Sequence, residues 1–449
     1  MSDYLLEKKW LRSLVKSLKL PLPLPPYLNR ASKPYTDTPL EAKKVILSEF
    51  GFKNEVFLQA LEKLGANTYK SADEEGRPNI LIFNSLSFTG YQDLDEAYFF
   101  FKPLLKKLST NGRILILAEG KAETVAQQTM SRAMLGLIKT LAKESGKKGI
   151  SANVLFINDV RQVSDEVLLN GITQHFAFWL SEHSAYVSGQ SVRLNLQKTE
   201  SDLTVEKALE GKNALVTGGS KGIGAAIAEK LAGEGALVYI LDIPPQEIEA
   251  KRVMRKIKGK LILADVTDPE LPNILHEKFG EKGLDILVHN AGITKDKTLA
   301  NMPEDWWKRV LDINFRAIVN INKELMEQGT FNANARITHL SSISGLSGNY
   351  GQSNYVVCKA ALIEYCAAMA RNKKHLDMVF NAIAPGFIET DMTAKMPFFT
   401  REGARRLSAF QQGGTPDDVA ELALYLSLPA ARAINGQCVR VCGGNFMGA

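Results

Sequence analysis

Three side chains in the second half of the chain have the types and spacing for proton chemistry. Ser342 stands thirteen residues before Tyr355, and Lys359 follows Tyr355 by four. A helix beginning near Tyr355 puts Tyr355 and Lys359 on one face. An ammonium beside a phenol stabilises the phenolate, so the spacing predicts a tyrosine pKa drawn down from about 10 toward neutrality. Tyr355 is then usable as a proton donor or acceptor at physiological pH.

These residues need elements to position them. Asn213-Ala-Leu-Val-Thr217 reads as a buried strand running into Gly218-Gly-Ser220-Lys221-Gly222-Ile223-Gly224 and a helix over Ala225–Gly233. Glycines at this spacing allow a tight turn and let a pyrophosphate approach the helix N-terminus. Asp242 ends the next strand, Ala236–Leu241, eighteen positions after Gly224. A carboxylate there suits ribose hydroxyls and repels a 2′-phosphate, so NAD(H) is the expected cofactor, with NADP(H) second. Lys221 argues the other way, and a turn residue before Pro244-Pro245 is the alternative for Asp242.

Strands alternate with helices in both halves. The first half has strands at Lys44–Leu47, Asn79–Phe83, Arg113–Ala118, Ser151–Ile157 and Ser191–Leu196, with helices at Glu55–Leu64, Thr124–Ser145 and Glu166–Leu180. The second adds strands at Lys260–Ala264, Asp285–His289, Arg336–Leu340, Met378–Ala382 and Gln437–Val441, with helices at Asp305–Glu327, Tyr355–Arg371 and Asp417–Leu426. This alternation predicts parallel α/β sheets, the second of about seven strands. A chain of 449 residues exceeds one ordinary core. The expected organisation is an amphipathic helix over Tyr4–Leu20 and a proline strap, Pro21–Pro26, within 1–40; a first domain, 41–200; a linker, 201–211; and a catalytic domain, 212–449.

The ordered motifs of residues 210–449 resemble the short-chain dehydrogenase/reductase family, most of all its 3-oxoacyl-[acyl-carrier-protein] reductase branch. They are Thr217-Gly-Gly-Ser-Lys-Gly-Ile-Gly224, Asp265-Val266, Asn290-Ala291-Gly292, Asn314, Ser342, Tyr355-x-x-x-Lys359, Asn381-Ala-Ile-Ala-Pro385-Gly386 and Gly443-Gly444. The resemblance implies that Tyr355 protonates a carbonyl oxygen, Ser342 hydrogen-bonds it, and Lys359 binds the nicotinamide ribose and lowers the tyrosine pKa. Family spacing favours Ser342 over its neighbour Ser341. Asn314 would hold a water leading from Lys359 to solvent; a satisfied helix amide is its alternative. Asp265 and Val266 would meet adenine. Asn290, Ala291 and Gly292 would line the crevice, and Pro385, Gly386, Ile388 and Thr390 would flank the nicotinamide. Glu389–Gln412 is the expected mobile loop over substrate. Phe387, Met392, Met396, Phe398 and Phe399 either line an acyl channel or pack that loop. The implied reaction is reduction of a 3-oxoacyl thioester, on acyl-carrier protein or coenzyme A, in fatty-acid metabolism. Another substrate, such as acetoacetyl-coenzyme A or a 3-hydroxyacyl-coenzyme A oxidised in reverse, and a noncatalytic scaffold are the alternatives. The intact Ser342, Tyr355 and Lys359 argue against the scaffold.

Ordinary members are about as long as the second half, so the first adds about 200 residues. Three segments echo the second half in order. Arg132–Lys143 matches Ala360–Arg371 at an offset of 228. Gly189-Gln-Ser-Val-Arg-Leu194 matches Gly436-Gln-Cys-Val-Arg-Val441 at 247, and Asn111-Gly-Arg-Ile resembles Asn334-Ala-Arg-Ile. A diverged duplicate is expected, with Gln127 opposite Tyr355 and Ser131 opposite Lys359, hence no nicotinamide site. The long form of the family has a first domain described as flavodoxin-like; no flavin is expected. The full expectation is two doubly wound, Rossmann-like sheets, the first degenerate and the second complete. The first would act as a structural partner, its helix Thr124–Ser145 replacing a subunit, and the chain would form a homodimer.

Composition narrows the remaining classes. A net charge of +6 is mild over this length, and no dense basic run with aromatics indicates nucleic acid. Arg371, Lys373 and Lys374 are weak candidates for meeting an acidic carrier, a solvated helix end being the plainer reading. Cys358, Cys366, Cys438 and Cys442 and the six scattered histidines match no metal pattern. No apolar run is long enough for a bilayer span or secretory signal, so a cytoplasmic enzyme is expected.

Overall fold

The computed structural model describes residues 9–18, 24–70, 76–122, 124–198, 207–372, 374 and 377–446. Tyr4–Lys8 and Lys19–Leu20 of the expected first helix, Pro21–Pro23 of the strap, the end of the expected first domain at Thr199 and Glu200, Ser201–Glu206 of the linker, and Lys373 lie outside the described residues. Two compact units form. One comprises Met1–Val205, Phe387–Gly414 and Val441–Phe446; the other comprises Glu206–Gly386, Thr415–Arg440 and Met447–Ala449.

In the first unit, β1 (Lys44–Leu47), β2 (Asn67–Tyr69), β3 (Ile80–Asn84), β4 (Arg113–Glu119), β5 (Ser151–Ile157) and β6 (Ser191–Leu194) form a parallel sheet. Its order is β2-β1-β3-β4-β5-β6. Every residue of β3 and β5 is buried, as a strand covered on both faces requires. The edge strand β2 is Asn-Thr-Tyr with two exposed residues, so no apolar run announced it. The helix Val125–Ser145 starts at a Thr124–Gln127 capping box and buries Met130, Met134, Ile138 and Leu141. Each such side chain contributes roughly 1.5–3 kcal/mol of burial.

The second unit's sheet runs β13-β12-β11-β10-β7-β8-β9. Its strands are β7 (Asn213–Thr217), β8 (Leu237–Asp242), β9 (Lys260–Leu263), β10 (Leu284–His289), β11 (Phe331–Leu340), β12 (Val379–Pro385) and β13 (Cys438–Val441). β7 and β10 are wholly buried. The helices Glu247–Ile257 and Leu271–Phe279, and Leu94–Leu104 in the first unit, are elements that apolar patterning passed over.

The two units repeat one internal plan. Read from the other edge, the first sheet has the strand order of the second without a counterpart of β9. Asn111 and Asn334 both take left-handed φ, 59° and 63°, and both lead to a buried arginine, Arg113 and Arg336. In the first unit Asn153 Nδ2 donates to the Val187 carbonyl at 2.9 Å, and its Oδ1 accepts from Gln190 N at 3.0 Å. In the second, Asn381 Nδ2 donates to the Ile434 carbonyl at 2.8 Å, and its Oδ1 accepts from Gln437 N at 3.0 Å. The asparagines are 228 positions apart and their partners 247, the two offsets read from the sequence. One amide thus ties the turn before the last strand in both units. At the position matching Tyr355, Gln127 accepts from the Thr124 N–H to cap its helix. At the position matching Lys359, the Ser131 hydroxyl donates to the Glu119 carbonyl at 2.8 Å.

Replacing Asn153 or Asn381 by alanine strands a buried carbonyl and N–H, so each change is expected to cost about 2 kcal/mol. Urea denaturation of the two variants measures this; shifts below about 0.5 kcal/mol would mean the bridge does not hold the turn.

Candidate active site

The catalytic candidates converge where β11 ends and the helix Ser353–Arg371 begins. Lys359 is buried, and its Nζ donates to the Leu340 carbonyl at 2.6 Å. That Nζ lies 5.5 Å from the Tyr355 ring centroid. Ser342 caps the short helix Ile343–Ser347, accepting from Ser344 N at 3.2 Å. The neighbouring Ser341 is buried and donates its hydroxyl to the Lys359 carbonyl at 2.6 Å. Of the two serines, Ser341 braces the lysine's backbone and Ser342 is the one beside the phenol. Asn354 accepts the Tyr355 N–H at 2.8 Å and donates to the Lys295 carbonyl, fixing the start of the tyrosine's helix.

The expected fall in the tyrosine pKa does not occur. Burial pushes the Tyr355 phenol up to about 12; a hydrogen bond with Ser342 opposes this and the Asp296 charge adds to it. Burial also takes the Lys359 ammonium down to about 8. The spacing argument counted the neighbouring charge and omitted desolvation, which is the larger effect here. Tyr355 consequently keeps its proton at neutral pH and is poised to donate it.

The glycine loop leaves β7 and enters the helix Gly222–Gly233. Asn290 Nδ2 donates to the carbonyls of Thr217 and Gly218 at 3.0 and 2.9 Å. The Thr217 hydroxyl accepts from Asn290 N and Ala291 N, both at 3.0 Å. A Cβ on Gly224 would collide with the Gly218 carbonyl oxygen, so the loop closes this tightly only without one. Three features fit a pyrophosphate. No side chain caps the helix, a Cβ at Gly222 would enter open space, and the buried Ser220 hydroxyl has no hydrogen-bond partner. Asp242 accepts from Ser220 N and Ile243 N at 3.0 and 2.9 Å, and Lys221 donates to Gln246 at 2.9 Å. Ile223 follows in the helix's first turn.

Asn314 lies in a π-helical turn, Asp312–Arg316, with its amide bonded to both the N–H and carbonyl of Ile293 at 2.9 Å. Ile293 thus takes one acceptor site and one donor of this amide, as the satisfied-amide alternative requires. A Cβ on Gly292 would stand 3.2 Å from Asn314 Oδ1 and 3.8 Å from Lys359 Nζ. Asp265 accepts from the N–H and hydroxyl of Thr267 at 2.9 and 2.7 Å, and Val266 packs on the core. Pro385 ends β12 and Gly386 follows it. Ile388 and Thr390 belong to Phe387–Gly414, which packs in the first unit. The expected loop there contains two helices, Asp391–Ala394 and Phe398–Arg406, and Met392, Phe398 and Phe399 are exposed. Arg371 is paired with Glu364 at 2.6 Å on the surface.

Sequence reasoning missed Thr217 and Asn354 as site residues, although each adjoins a motif. It also missed a buried polar chain behind the site. His289 Nε2 donates to Asn322 Oδ1 at 2.9 Å, and Asn322 Nδ2 donates to His339 Nε2 at 3.0 Å. His339 Nδ1 is then the donor toward Cys366 Sγ at 3.2 Å. The two rings, opposite each other on β10 and β11, stack with centroids 5.1 Å apart. Histidines isolated in strands carry no pattern that signals such a chain.

Among the described residues no helix is long and apolar enough to cross a membrane, and no cluster of His, Cys, Asp and Glu could hold a metal ion. A family model described as enoyl-(acyl carrier protein) reductase matches residues 218–445. The 3-oxoacyl-[acyl-carrier-protein] reductase FabG of Vibrio cholerae is 37% identical over 243 residues, covering 53% of this chain and 99% of that protein. The Thermotoga maritima protein of the same name is 34% identical over 241 residues, covering 53% and 98%. A solved short-chain dehydrogenase from Burkholderia cenocepacia, in complex with NADP, is 34% identical with a TM-score of 0.48, covering 53% of this chain and 98% of its own.

Burial drives the His289 pKa down to about 4 and the His339 pKa well below its ordinary value. Both stay neutral in the folded chain while the unfolded chain takes up protons below about 6.5. Stability is therefore lost as pH falls from about 6.5 toward 4, by of order 3 kcal/mol for His289 alone. Urea midpoints at pH 7 and 5, above most carboxylate titration, should differ with pH 5 lower. An unchanged midpoint contradicts the assignment.

Proposed function

The chain belongs to the short-chain dehydrogenase/reductase family, and from that premise we propose that it reduces a 3-oxoacyl thioester to the 3-hydroxyacyl thioester. The observation that carries this reading is the meeting of Ser342, Tyr355 and Lys359 beyond the end of β11, in the unit that also presents an uncapped glycine-loop helix. Tyr355, protonated at neutral pH, delivers its phenolic proton to the C3 carbonyl oxygen. The Ser342 hydroxyl donates to the same oxygen and stabilises the developing alkoxide. Lys359 supplies positive charge beneath the phenol and a donor for the nicotinamide ribose. The nicotinamide, when bound, supplies the hydride. Gly218–Gly224 would hold the pyrophosphate, Asp265 and Val266 the adenine, and Asn290–Gly292, Pro385, Gly386, Ile388 and Thr390 the crevice and nicotinamide. Asn314 positions Ile293 and Gly292 rather than touching substrate.

The names of the matched relatives support an acyl chain on acyl-carrier protein; coenzyme A presents the same thioester and serves as a probe. The pairing of Arg371 with Glu364 leaves little for an acidic carrier at that helix end. For the cofactor, Asp242 at the end of β8 supports NADH, since its carboxylate is fixed by two backbone N–H groups and Lys221 is engaged with Gln246. The NADP of the solved Burkholderia relative supports the second reading, NADPH. The first unit is proposed as a structural partner and the assembly as a homodimer.

With acetoacetyl-coenzyme A and NADH, Tyr355→Phe should lower kcat/KM by roughly a hundredfold or more, the usual range for a lost general acid. Equal rates remove Tyr355 from the mechanism, and turnover of crotonyl-coenzyme A instead redirects the reading to carbon–carbon double bonds. Asp242→Ala should raise the NADPH-to-NADH ratio of kcat/KM about tenfold or more. An unchanged ratio removes Asp242 from cofactor choice.

A further inference from the structure

The segment Phe387–Gly414 leaves the carboxyl end of β12, where open parallel sheets bind their ligands, and returns at the helix Pro416–Tyr425. Its far part is exposed at Met392, Phe398 and Phe399. Its foot is buried: Arg401, Arg405, Ser408, Ala409, Phe410 and Gln412 are each no more than 3% exposed. The foot is closed by Arg405, whose Nε and Nη2 donate to the two oxygens of Glu389 at 2.5 and 3.0 Å, and which also pairs with Glu402.

What the foot packs against is Tyr186, which lies between the helix Asp165–Trp179 and β6 and is 1% exposed. The Tyr186 hydroxyl donates to the Gln412 carbonyl at 2.7 Å. Its carbonyl accepts from Gly443 N at 2.9 Å. A Cβ on Gly414 would come within 2.6 Å of the ring, and one on Gly443 within 2.7 Å, so the ring is clasped between two backbones that only glycine brings this near. Phe410 tilts against it with centroids 5.9 Å apart. Gln412 Nε2 reaches the Pro26 carbonyl at 2.9 Å, and Ala409 faces Gly146. The Gly443-Gly444 pair, met in the sequence as a family motif, is here one jaw of the clasp.

We propose that the first unit serves the reduction through this clasp, with Tyr186 as a positioning residue that fixes the foot of the substrate segment. The proposal rests on the reductase reading given above. The Vibrio cholerae relative is matched over 99% of its own length by 53% of this chain, which leaves it no counterpart of the N-terminal stretch that carries Tyr186. A segment ordered in advance spares the acyl thioester the entropy of ordering it. The clasp therefore acts on thioester KM more than on nicotinamide affinity, to which this segment brings only Ile388 and Thr390.

The test uses the full chain and its Tyr186→Phe and Tyr186→Ala variants. Limited trypsin digestion reads cleavage at Lys395, Arg401, Arg405 and Arg406. Steady-state kinetics with acetoacetyl-coenzyme A, and NADH fluorescence titration, read function. Removing the hydroxyl should speed cleavage in the foot roughly fivefold, and removing the ring about tenfold or more, following the lost hydrogen bond and packing. Acetoacetyl-coenzyme A KM should rise in the same order, with NADH affinity within about twofold of the parent. Unchanged cleavage in both variants overturns the proposal. So does a rise in thioester KM matched by equal losses of NADH affinity and by a fall in thermal midpoint, which marks a merely structural tyrosine. Tyr186→Phe keeps the ring and guards against an alanine variant that does not fold. If the parent reduces no thioester, the reductase reading fails, while digestion still decides whether Tyr186 holds the segment.

Discussion

A buried ammonium organises the second unit of this molecule. Lys359 is 4% exposed, and its charge is met by the Leu340 carbonyl at the end of β11. Such a group is tolerated only where donors and acceptors are fixed around it. The fixing is visible on every side. Ser341 holds the lysine's own carbonyl, Asn354 holds the first turn of its helix, and Asn314 holds the Ile293 strand-end loop next to Gly292. Tyr355 inherits its position from this arrangement, one helical turn away. The same burial that strains the lysine raises the phenol's pKa, so the pair favours a protonated tyrosine beside a readily neutralised lysine.

Behind that site the sheet is held by amides rather than by apolar packing alone. Asn322 joins two histidines of adjacent strands, Asn381 ties β12 to the turn before β13, and Asn290 ties β10 to the glycine loop. Asn322 and Asn381 each satisfy both a donor and an acceptor, and Asn290 satisfies two carbonyls, which is why a neutral amide serves where a charge would be costly. The first unit has the same bridge at Asn153, whereas Gln127 and Ser131 stand at the positions matching Tyr355 and Lys359. The shared amide bridge and the left-handed asparagines Asn111 and Asn334 are therefore the clearest signs of a common architecture.

The units also show that packing need not follow chain order. Phe387–Gly414 is bounded on both sides by the second unit's sequence, yet its buried foot belongs with the first. The polar anchors responsible, Tyr186 to Gln412 and Gln412 to Pro26, join positions separated by 226 and 386 residues. Pairings of that separation leave no local trace.

By itself the sequence determined the fold class and most of the strand and helix succession in both halves, and it singled out the glycine loop and Ser342, Tyr355 and Lys359 as candidates. These are written in short-range patterns: apolar runs, glycine spacing and one helical turn. It also carried the two offsets of the internal repeat, because duplicated turns keep their residue types. Only the tertiary structure decided the rest. It set the direction of the Tyr355 pKa, since desolvation depends on what surrounds the ring rather than on the residue four positions away. It separated Ser342 from Ser341 by giving the latter's hydroxyl a buried carbonyl. It assigned Asn314 to Ile293, revealed the His289–Asn322–His339 chain, and joined Tyr186 to the segment beyond β12. Each of these depends on atoms distant in sequence arriving within hydrogen-bonding reach, and that is a property of packing, which no local spacing encodes.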